Sequence, residues 1–322
     1  MSTTHLETDL ELAVQSKLDA ADGVVVLGLC TLDGGLLPAW DPGAHVDLHL
    51  GAEGAIVRQY SLCGDPSDRT SWSVAVLHEP DGRGGSRFIH AELEVGARIR
   101  ARGPRNHFPF KASERYIFIG GGIGITPLIP MMAMAAAVGA QWSLTYGGRS
   151  RDSMAFVDEL VEIYGAKVAV HPQDTHGLLP LPTLLGTPTP DTHVYCCGPE
   201  PLLDAVESMC AGWPAGALHI ERFAPKEVGE RIVAGPFEVE IVSSGHILTV
   251  SPEQTVLEVL QNDGVFVDSS CEEGTCGSCE VAVVEGAIDH RDSILTAEEQ
   301  DEGNLMMVCV SRAAGPRLVL DI

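Results

Sequence analysis

Four cysteines in the last third of the chain restrict its fold more than any other feature. Three lie in one short loop, Cys271-Glu-Glu-Gly-Thr-Cys276-Gly-Ser-Cys279, and Cys309 follows after twenty-nine intervening residues. This C-x4-C-x2-C…C spacing is that of the thiolates that hold a plant-type [2Fe–2S] cluster. Gly274 and Gly277 would let the loop pass close to an anionic cluster with its backbone N–H groups turned inward. We therefore predict a cluster site, with Cys309 supplied by a strand over 305–310.

A zinc site is the alternative reading of these cysteines. Zinc sites favour two C-x2-C pairs, and this chain has one such pair, Cys276 and Cys279. With nine cysteines and no expected secretion signal, a disulfide framework is not indicated. We expect four of the thiols outside the loop to be packed in the core, namely Cys30, Cys63, Cys196 and Cys210.

The sequence around the loop resembles a plant-type ferredoxin domain. The resemblance rests on the stretch from Thr255 to Gly264, on the cysteine loop and on the run from Glu280 to Gly286. It covers about the last ninety residues of the chain. It implies an α+β domain of the β-grasp type over 237–322.

The length of 322 residues allows two or three domains, and 45% hydrophobic content suits globular units. The N-terminal stretch lacks a basic segment followed by an apolar one, so we expect no signal peptide and a cytoplasmic location. Tyr116–Val138 is apolar enough to suggest a membrane span. Glycines and prolines interrupt it, so a strand, a turn and a helix are the better interpretation.

The formal charge of −25 is unevenly distributed. Residues 233–322 hold 17 acidic and 3 basic side chains, a net −14, whereas residues 1–112 carry −5 and residues 113–232 carry −6. Nucleic acid and anionic membranes are therefore poor partners. A protein with a basic docking face is the better expectation.

Short alternating apolar runs over residues 1–112 predict a small antiparallel β-barrel. One run carries Arg58-Gln-Tyr60-Ser61-Leu62, in which strand alternation places Arg58, Tyr60 and Leu62 on one face. Such a combination can line a flavin ring and hold its phosphate, although an ordinary strand with a surface arginine is the alternative.

A glycine-rich turn supplies a second element for the same site. Asp81-Gly-Arg-Gly84-Gly85-Ser86 precedes a predicted helix over Arg87–Glu94, where glycine N–H groups and the Ser86 hydroxyl could receive a phosphate. Together with the run from Gly103 to Phe110, these residues resemble the FMN domain of phthalate-dioxygenase-reductase-type enzymes. The resemblance implies that this domain binds FMN.

Residues 113–225 change to a strand–helix alternation. Tyr116–Ile119 predicts a buried strand, the run Gly120, Gly121, Gly122, Ile123, Gly124 a tight turn, and Thr126 and Pro127 the N-cap and first residue of a helix. This order forms a pyrophosphate cradle in dinucleotide-binding domains, although close helix–strand packing also needs glycine. Further strands over 142–146, 166–170 and 193–197, with helices over 155–164 and 201–210, predict a parallel sheet.

The fourth strand ends in Cys197-Gly198-Pro199. With the glycine turn, this resembles the NAD(P) domain of the ferredoxin–NADP reductase superfamily, and it implies that Cys197 lies near the nicotinamide. The resemblance also implies that Phe223 lies against the flavin where nicotinamide enters. A buried thiol and a core phenylalanine are the alternatives. Residues 226–236 are expected to link this domain to the ferredoxin domain.

The modules in this order resemble the phthalate dioxygenase reductase family over nearly the whole chain. The resemblance implies a cytoplasmic monomer that passes electrons from NADH through FMN to [2Fe–2S] and on to a Rieske-type oxygenase. Ser61, Cys197 and Phe223 are the predicted catalytic residues. Arg149 and Arg151 could hold the 2′-phosphate of NADPH, but we expect solvated arginines and NADH. A diaphorase with small acceptors and a cluster-based redox sensor stay open as alternatives.

Overall fold

The computed structural model describes residues 7–51, 54–226 and 228–322. Residues 1–6, which begin the N-terminal stretch in which we expect no signal peptide, lie outside the described residues. The chain divides into two compact units, one up to Glu221 and the other from Arg222 onward.

The first unit begins with a six-stranded antiparallel sheet in the order β4-β3-β6-β1-β2-β5. A bridge between Leu62 and Val74 joins the two edges, so the sheet curls into a barrel. Leu48, Leu62 and Trp72 are buried inside it. Its elements are β1 Thr8–Ala21, β2 Val24–Thr31, β3 His45–Leu50, β4 Ile56–Ser61, β5 Trp72–Leu77, α1 Gly85–Ala91 and β6 Arg98–Arg105.

The second sheet of this unit is parallel, with the order β11-β10-β7-β8-β9. Its central strands β7 and β10 are mostly buried, as expected where helices cover both faces of a parallel sheet. Its strands are β7 Arg115–Gly121, β8 Gln141–Gly148, β9 Val168–Pro172, β10 Thr192–Cys197 and β11 Leu218–Glu221. Its helices are α2 Leu128–Ala137, α3 Val157–Tyr164, α4 Gln173–His176, α5 Leu181–Leu185 and α6 Glu200–Cys210, with 3-10 turns at Gly122–Ile125, Arg151–Ser153 and Gly165–Lys167.

The second unit has a mixed five-stranded sheet in the order β13-β12-β18-β14-β16, with helix α7 packed on it and a two-stranded sheet β15-β17 beside it. The Thr255 hydroxyl and the Glu258 side chain cap the start of α7 reciprocally. The elements are β12 Phe237–Ile241, β13 Ile247–Val250, α7 Val256–Asn262, β14 Glu280–Glu285, β15 Ile288–Asp289, α8 Ala297–Glu302, β16 Leu305–Met307, β17 Arg312–Ala313 and β18 Arg317–Asp321.

The predicted three-part fold class, with a barrel, a parallel α/β sheet and an α+β ferredoxin-type domain, is confirmed. Several local predictions were wrong. Helix α2 begins at Leu128 with Pro127 as its N-cap, and Thr126 ends the preceding 3-10 turn instead of capping the helix. Cys309 lies in a turn after β16 rather than on the strand, and Cys30 is only half-buried.

The apolar run at 116–138 forms strand β7, the 3-10 turn and helix α2, as predicted. In the part of the chain that the structure describes, none of the helices has the length and apolar character needed to cross a bilayer.

Candidate functional site

Arg58 and the glycine-rich turn, predicted separately as two halves of a phosphate site, meet in the barrel. The Arg58 guanidinium donates to the carbonyl oxygen of Arg83 at 2.7 Å. A Cβ on Gly85 would lie 2.5 Å from the Arg58 side chain, so only glycine fits there. Gly84 has a φ of 89°, a left-handed conformation that glycine adopts without strain. The turn and the cation thus form a single cradle.

The other predicted flavin residues extend from that cradle along β4. Tyr60 is half-buried and packs against the barrel core, and burial raises the pKa of its hydroxyl. Leu62 is fully buried. The Ser86 hydroxyl accepts a hydrogen bond of 3.0 Å from the Glu79 N–H, so it also fixes the glycine turn.

Ser61 and Cys197, two of the predicted catalytic residues, are brought together by a third residue, Glu221. The Ser61 hydroxyl donates to the Glu221 carboxyl group at 3.3 Å, and the Cys197 thiol approaches the same oxygen at 4.0 Å. Cys197 pairs with Glu221 of β11 on one side and with Gly120 of β7 on the other. The barrel strand and the carboxyl ends of the parallel strands therefore meet at one point.

Burial keeps this cluster protonated. It raises the pKa of Glu221 to about 8, an effect that the Ser61 hydrogen bond opposes. It also raises the pKa of Cys197 well above its usual value, with the nearby Glu221 carboxylate as the second cause. Cys197 is therefore a neutral thiol at pH 7 and is not a thiolate nucleophile.

Glu221 was not among the site residues predicted from the sequence. Its only local signal is an acidic side chain at the end of the short apolar run that became β11. In a parallel sheet, the carboxyl ends of the strands are where ligands bind.

The predicted glycine turn and the Cys197-Gly198-Pro199 turn pack directly on each other. A Cβ on Gly124 would collide with the Cys197 carbonyl group, and one on Gly121 would lie 2.7 Å from the Pro199 ring. The glycines therefore serve close packing, which was one of the two interpretations. The same packing brings the two turns to one edge of the sheet, where the other interpretation, a pyrophosphate cradle, needs them. Gly122 has a φ of 56° and open space around its α-carbon.

At the same edge, beyond β8 and β9, lie Arg149 and Arg151, the arginines considered in the sequence as partners of a 2′-phosphate. The Asp174 N–H donates to the Arg149 carbonyl at 3.1 Å, which places an acidic residue beside the arginine turn. Arg151 forms an ion pair of 2.5 Å with Asp158. An acid near the ribose favours NADH, because it can bind a 2′-hydroxyl but repels a 2′-phosphate.

A groove of about 1200 Å³ lies at the opposite edge of the parallel sheet, where β7, β8 and β10 begin. Its lining includes Phe110, Lys111 and Arg115 and none of the predicted site residues. Ligands of parallel sheets bind at the carboxyl ends of the strands, so the edge with Cys197 is the better candidate ligand site than this groove.

Phe223, the third predicted catalytic residue, belongs to the second unit, and its side chain is 47% exposed. Its role therefore stays a prediction.

In the second unit, the predicted cluster loop has buried thiols and inward-pointing amides. All four predicted ligands are buried. The Cys271 sulfur accepts hydrogen bonds from the N–H groups of Glu273 and Thr275 at 3.3 and 3.4 Å. The hydrogen bond between the Cys271 and Cys276 side chains lowers the pKa of Cys271 and raises that of Cys276, so the two thiols share one proton. A thiol binds a metal as its thiolate.

The four cysteines form two pairs. The Cys271 N–H donates to the Cys276 sulfur at 3.4 Å, and the two side chains also interact. A side-chain hydrogen bond joins Cys279 to Cys309. Among residues 7–51, 54–226 and 228–322, no three His, Cys, Asp or Glu side chains converge on a single metal position. Two pairs suit a cluster in which each of two irons takes two protein ligands.

Asp292 and its neighbours pack against the cysteine loop at Gly274. It is buried and accepts hydrogen bonds from the N–H groups of Ile294 and Leu295 at 3.2 and 2.9 Å. The Ser293 N–H donates to the Gly274 carbonyl at 2.9 Å, and Gly274 packs so closely on Asp292 and Val310 that no side chain fits there. The cysteine loop is therefore held in shape by neighbouring backbone.

Comparison with known proteins agrees with this arrangement. Residues 239–314 match the family model of the 2Fe-2S iron-sulfur cluster binding domain, which confirms the predicted cluster domain. The chain is 39% identical over 100% of both chains to phenoxybenzoate dioxygenase subunit beta of Ectopseudomonas oleovorans. It is 36% identical, again over 100% of both, to phthalate dioxygenase reductase of Burkholderia cepacia.

Two solved structures resemble the whole chain. Phthalate dioxygenase reductase, described as a modular structure for electron transfer from pyridine nucleotides to [2Fe-2S], matches at 35% identity and a TM-score of 0.70 over 98% of both chains. An intact type IV self-sufficient cytochrome P-450 monooxygenase matches at 45% identity and a TM-score of 0.91. That match covers 98% of this chain and 41% of the monooxygenase, so the chain spans about two fifths of its length.

A barrel with a phosphate cradle, a nucleotide-type parallel sheet and a cluster domain define an electron-transfer reductase. The chain belongs to the phthalate dioxygenase reductase family. The family predicted from the sequence motifs is therefore confirmed.

Proposed function

We propose that the chain takes electrons from NADH and delivers them, through FMN and a [2Fe–2S] cluster, to an oxygenase. As a member of its family it is an NADH-dependent flavin and iron–sulfur oxidoreductase, the reductase component of an oxygenase system. The observation that carries the proposal is the Ser61–Glu221–Cys197 cluster. It joins strand β4 of the barrel, the predicted flavin strand, to strands β10 and β11 of the parallel sheet, the predicted nicotinamide edge. Hydride transfer requires the two cofactors to lie side by side at such a point.

The residues of the barrel fit FMN. Arg58 with Gly84, Gly85 and Ser86 would hold the phosphate, because a guanidinium and free backbone N–H groups both suit an anion. Tyr60 and Ser61 would line the ring, and Leu62, whose side chain is buried in the barrel core, could contribute only its backbone. When bound, FMN accepts the electron pair of NADH and releases electrons singly to the cluster.

The parallel sheet would hold NADH at its carboxyl edge. The pyrophosphate would lie on the turn formed by Gly120, Gly121, Gly122 and Gly124 and on the start of the helix after Thr126 and Pro127. Cys197, Gly198 and Pro199 would border the nicotinamide, and Phe223 would cover the flavin until nicotinamide enters. Neutral Glu221 keeps its proton and orients Ser61, so the site presents no negative charge to a hydride donor.

The thiolates of Cys271, Cys276, Cys279 and Cys309 would hold the cluster, and the Glu273 and Thr275 N–H groups would stabilise its charge. The domain boundaries at 112, 225 and 236 remain part of this proposal.

The acceptor is an oxygenase component, and we propose a Rieske-type one with a basic docking face. The reductase would act as a cytoplasmic monomer. A second candidate acceptor is a haem monooxygenase, because the self-sufficient cytochrome P-450 is the structure that this chain matches with a TM-score of 0.91.

Replacing Cys276 by Ser tests the electron route. The variant should lose the visible spectrum of the cluster and the reduction of protein acceptors, yet keep NADH-dependent ferricyanide reduction through the flavin. Cys210→Ser, a change of a cysteine outside the loop, is the matched control. Protein-acceptor reduction that persists in a cluster-free Cys276→Ser protein would contradict the proposed route.

A further inference from the structure

One aromatic side chain close in sequence to the cluster loop is almost entirely exposed. Phe266 is 83% exposed, although a phenylalanine side chain ordinarily buries most of its surface. It precedes the first cluster ligand, Cys271, by five residues. A chain of that length spans at most about 18 Å, so the ring lies within that reach of the cluster loop.

The backbone on either side of Phe266 is fixed. The Val265 N–H donates to the Leu260 carbonyl at 2.9 Å, and Gly264 has the left-handed φ of 83° common after a helix end. Val267 is buried in the same core as Cys279 and Cys309. The aromatic ring is therefore presented outward from a segment anchored on both sides, and little side-chain or loop ordering would be needed to bind it.

The sequence on both sides of Phe266 is acidic. Asp263 and Asp268 flank it in the chain, and Glu272 and Glu273 follow Cys271. The whole segment 233–322 carries 17 acidic and 3 basic side chains. An exposed aromatic within an acidic surface has the composition of an interface anchor with a charged rim.

We propose that Phe266 is the apolar anchor of the surface through which the reductase docks its electron acceptor. The acceptor would be a protein with a shallow apolar pocket inside a basic rim, because both parts complement what this surface offers. The proposal rests on the proposed function and adds to it the residue that holds the complex together. The acidic side chains steer the encounter, and the ring sets how long it lasts.

The test uses the full-length holoprotein with cytochrome c, a small basic haem protein, as the acceptor. Phe266→Ala should lower kcat/KM for cytochrome c by about tenfold or more, mainly by raising KM. It should weaken binding of oxidised cytochrome c at low salt by a similar factor, measured by calorimetry without turnover. Phe266→Tyr keeps the ring and should stay within about threefold of the wild type.

Ile247→Ala is the matched control, since Ile247 is 49% exposed on strand β13 at the far edge of the same sheet from β16. Ferricyanide reduction and the rate of cluster reduction by NADH should be unchanged in all three variants. Cytochrome c kinetics and affinity of Phe266→Ala within twofold of both the wild type and Ile247→Ala would overturn the proposal.

Two further results are distinguishable. Slower cluster reduction by NADH in Phe266→Ala would show that the ring serves a contact within the chain, and this too would overturn the proposal. If Cys276→Ser reduced cytochrome c as fast as the wild type does, this result would contradict the proposed function itself, and the docking proposal with it.

Discussion

The hydroxyl group of Ser61 donates a hydrogen bond of 3.3 Å to the carboxyl group of Glu221, although 160 positions separate the two residues in the chain. Ser61 ends strand β4 of the barrel, and Glu221 ends strand β11 of the parallel sheet. The bond therefore ties the predicted flavin strand to the predicted nicotinamide edge. Because Cys197 approaches the same oxygen, a change in the charge of Glu221 affects both predicted catalytic side chains.

The raised pKa of Glu221 predicts how stability changes with pH. Its ordinary value is 4.5 and burial raises it to about 8, so the unfolded chain releases this proton at a lower pH than the folded chain. The stability cost is absent below about pH 4.5 and grows as the pH rises towards 8. Glu221→Gln, which cannot ionise, should gain unfolding free energy relative to the wild type across that interval.

Urea unfolding at several pH values between about 4.5 and 8 measures this difference. Glu162→Gln changes an exposed glutamate and is the control. A difference between Glu221→Gln and the wild type that stays constant with pH would show that Glu221 ionises normally in the folded protein.

Arg58→Ala should weaken retention of FMN. A charge-assisted hydrogen bond from a guanidinium to phosphate contributes about 1.5–3 kcal/mol, so the dissociation constant should rise by roughly 10- to 150-fold. Flavin fluorescence after dilution measures the released cofactor. Arg98→Ala, on the exposed start of β6, should retain flavin like the wild type. A diluted Arg58→Ala protein with stoichiometric flavin would remove Arg58 from the phosphate site.

These residues also show how far the sequence predicts the site. The cysteine spacing and the two glycine turns are local patterns, so the sequence indicates them directly, and the family confirms the cofactors they imply. Glu221 was missed because its partner Ser61 belongs to another sheet, and no local pattern records that contact. The pairing of Cys271 with Cys276 and of Cys279 with Cys309 likewise depends on how the loop folds.

The errors at element ends have a similar cause. Thr126 is a good N-cap residue by type, yet its hydroxyl donates to the Ile123 carbonyl within the 3-10 turn. This turn packs tightly on Cys197, and helix α2 begins only after it, at Leu128. Helix α1 instead begins earlier than predicted, at Gly85, because the glycine turn itself supplies its first residues.

The choice between NADH and NADPH should depend on Asp174 more than on Arg149. The Asp174 N–H binds the Arg149 carbonyl, so an acidic residue adjoins the arginine turn, and negative charge there would oppose a 2′-phosphate. Asp174→Asn should raise kcat/KM for NADPH by about five- to tenfold and lower that for NADH by less, on the scale of one lost charge interaction.

Steady-state kinetics with both nucleotides checks this, and Arg149→Ala is the companion variant. It should leave kcat/KM for NADH nearly unchanged. A wild type that prefers NADPH, or an Asp174→Asn protein with an unaltered ratio of the two, would contradict the assignment.

The last prediction concerns the acidic surface of the ferredoxin domain. Residues 233–322 carry a net −14, and Glu272, Glu273 and Glu280 flank the cluster ligands. If this surface steers an acceptor with a basic face, intermolecular electron transfer should slow steeply as ionic strength rises past about 0.1–0.2 M, where the Debye length falls below about 10 Å.

Charge reversal at Glu272 and Glu273 should slow the same step without altering the cluster spectrum, because neither residue is a ligand. Charge reversal at Glu159 and Glu162, on helix α3 of the parallel-sheet domain, is the matched control. Stopped-flow reduction of the acceptor at several salt concentrations measures the effect, and flavin reduction by NADH in the same samples should change far less. Equal acceptor rates at low and high salt would mean that the acidic side chains confer solubility and do not guide docking.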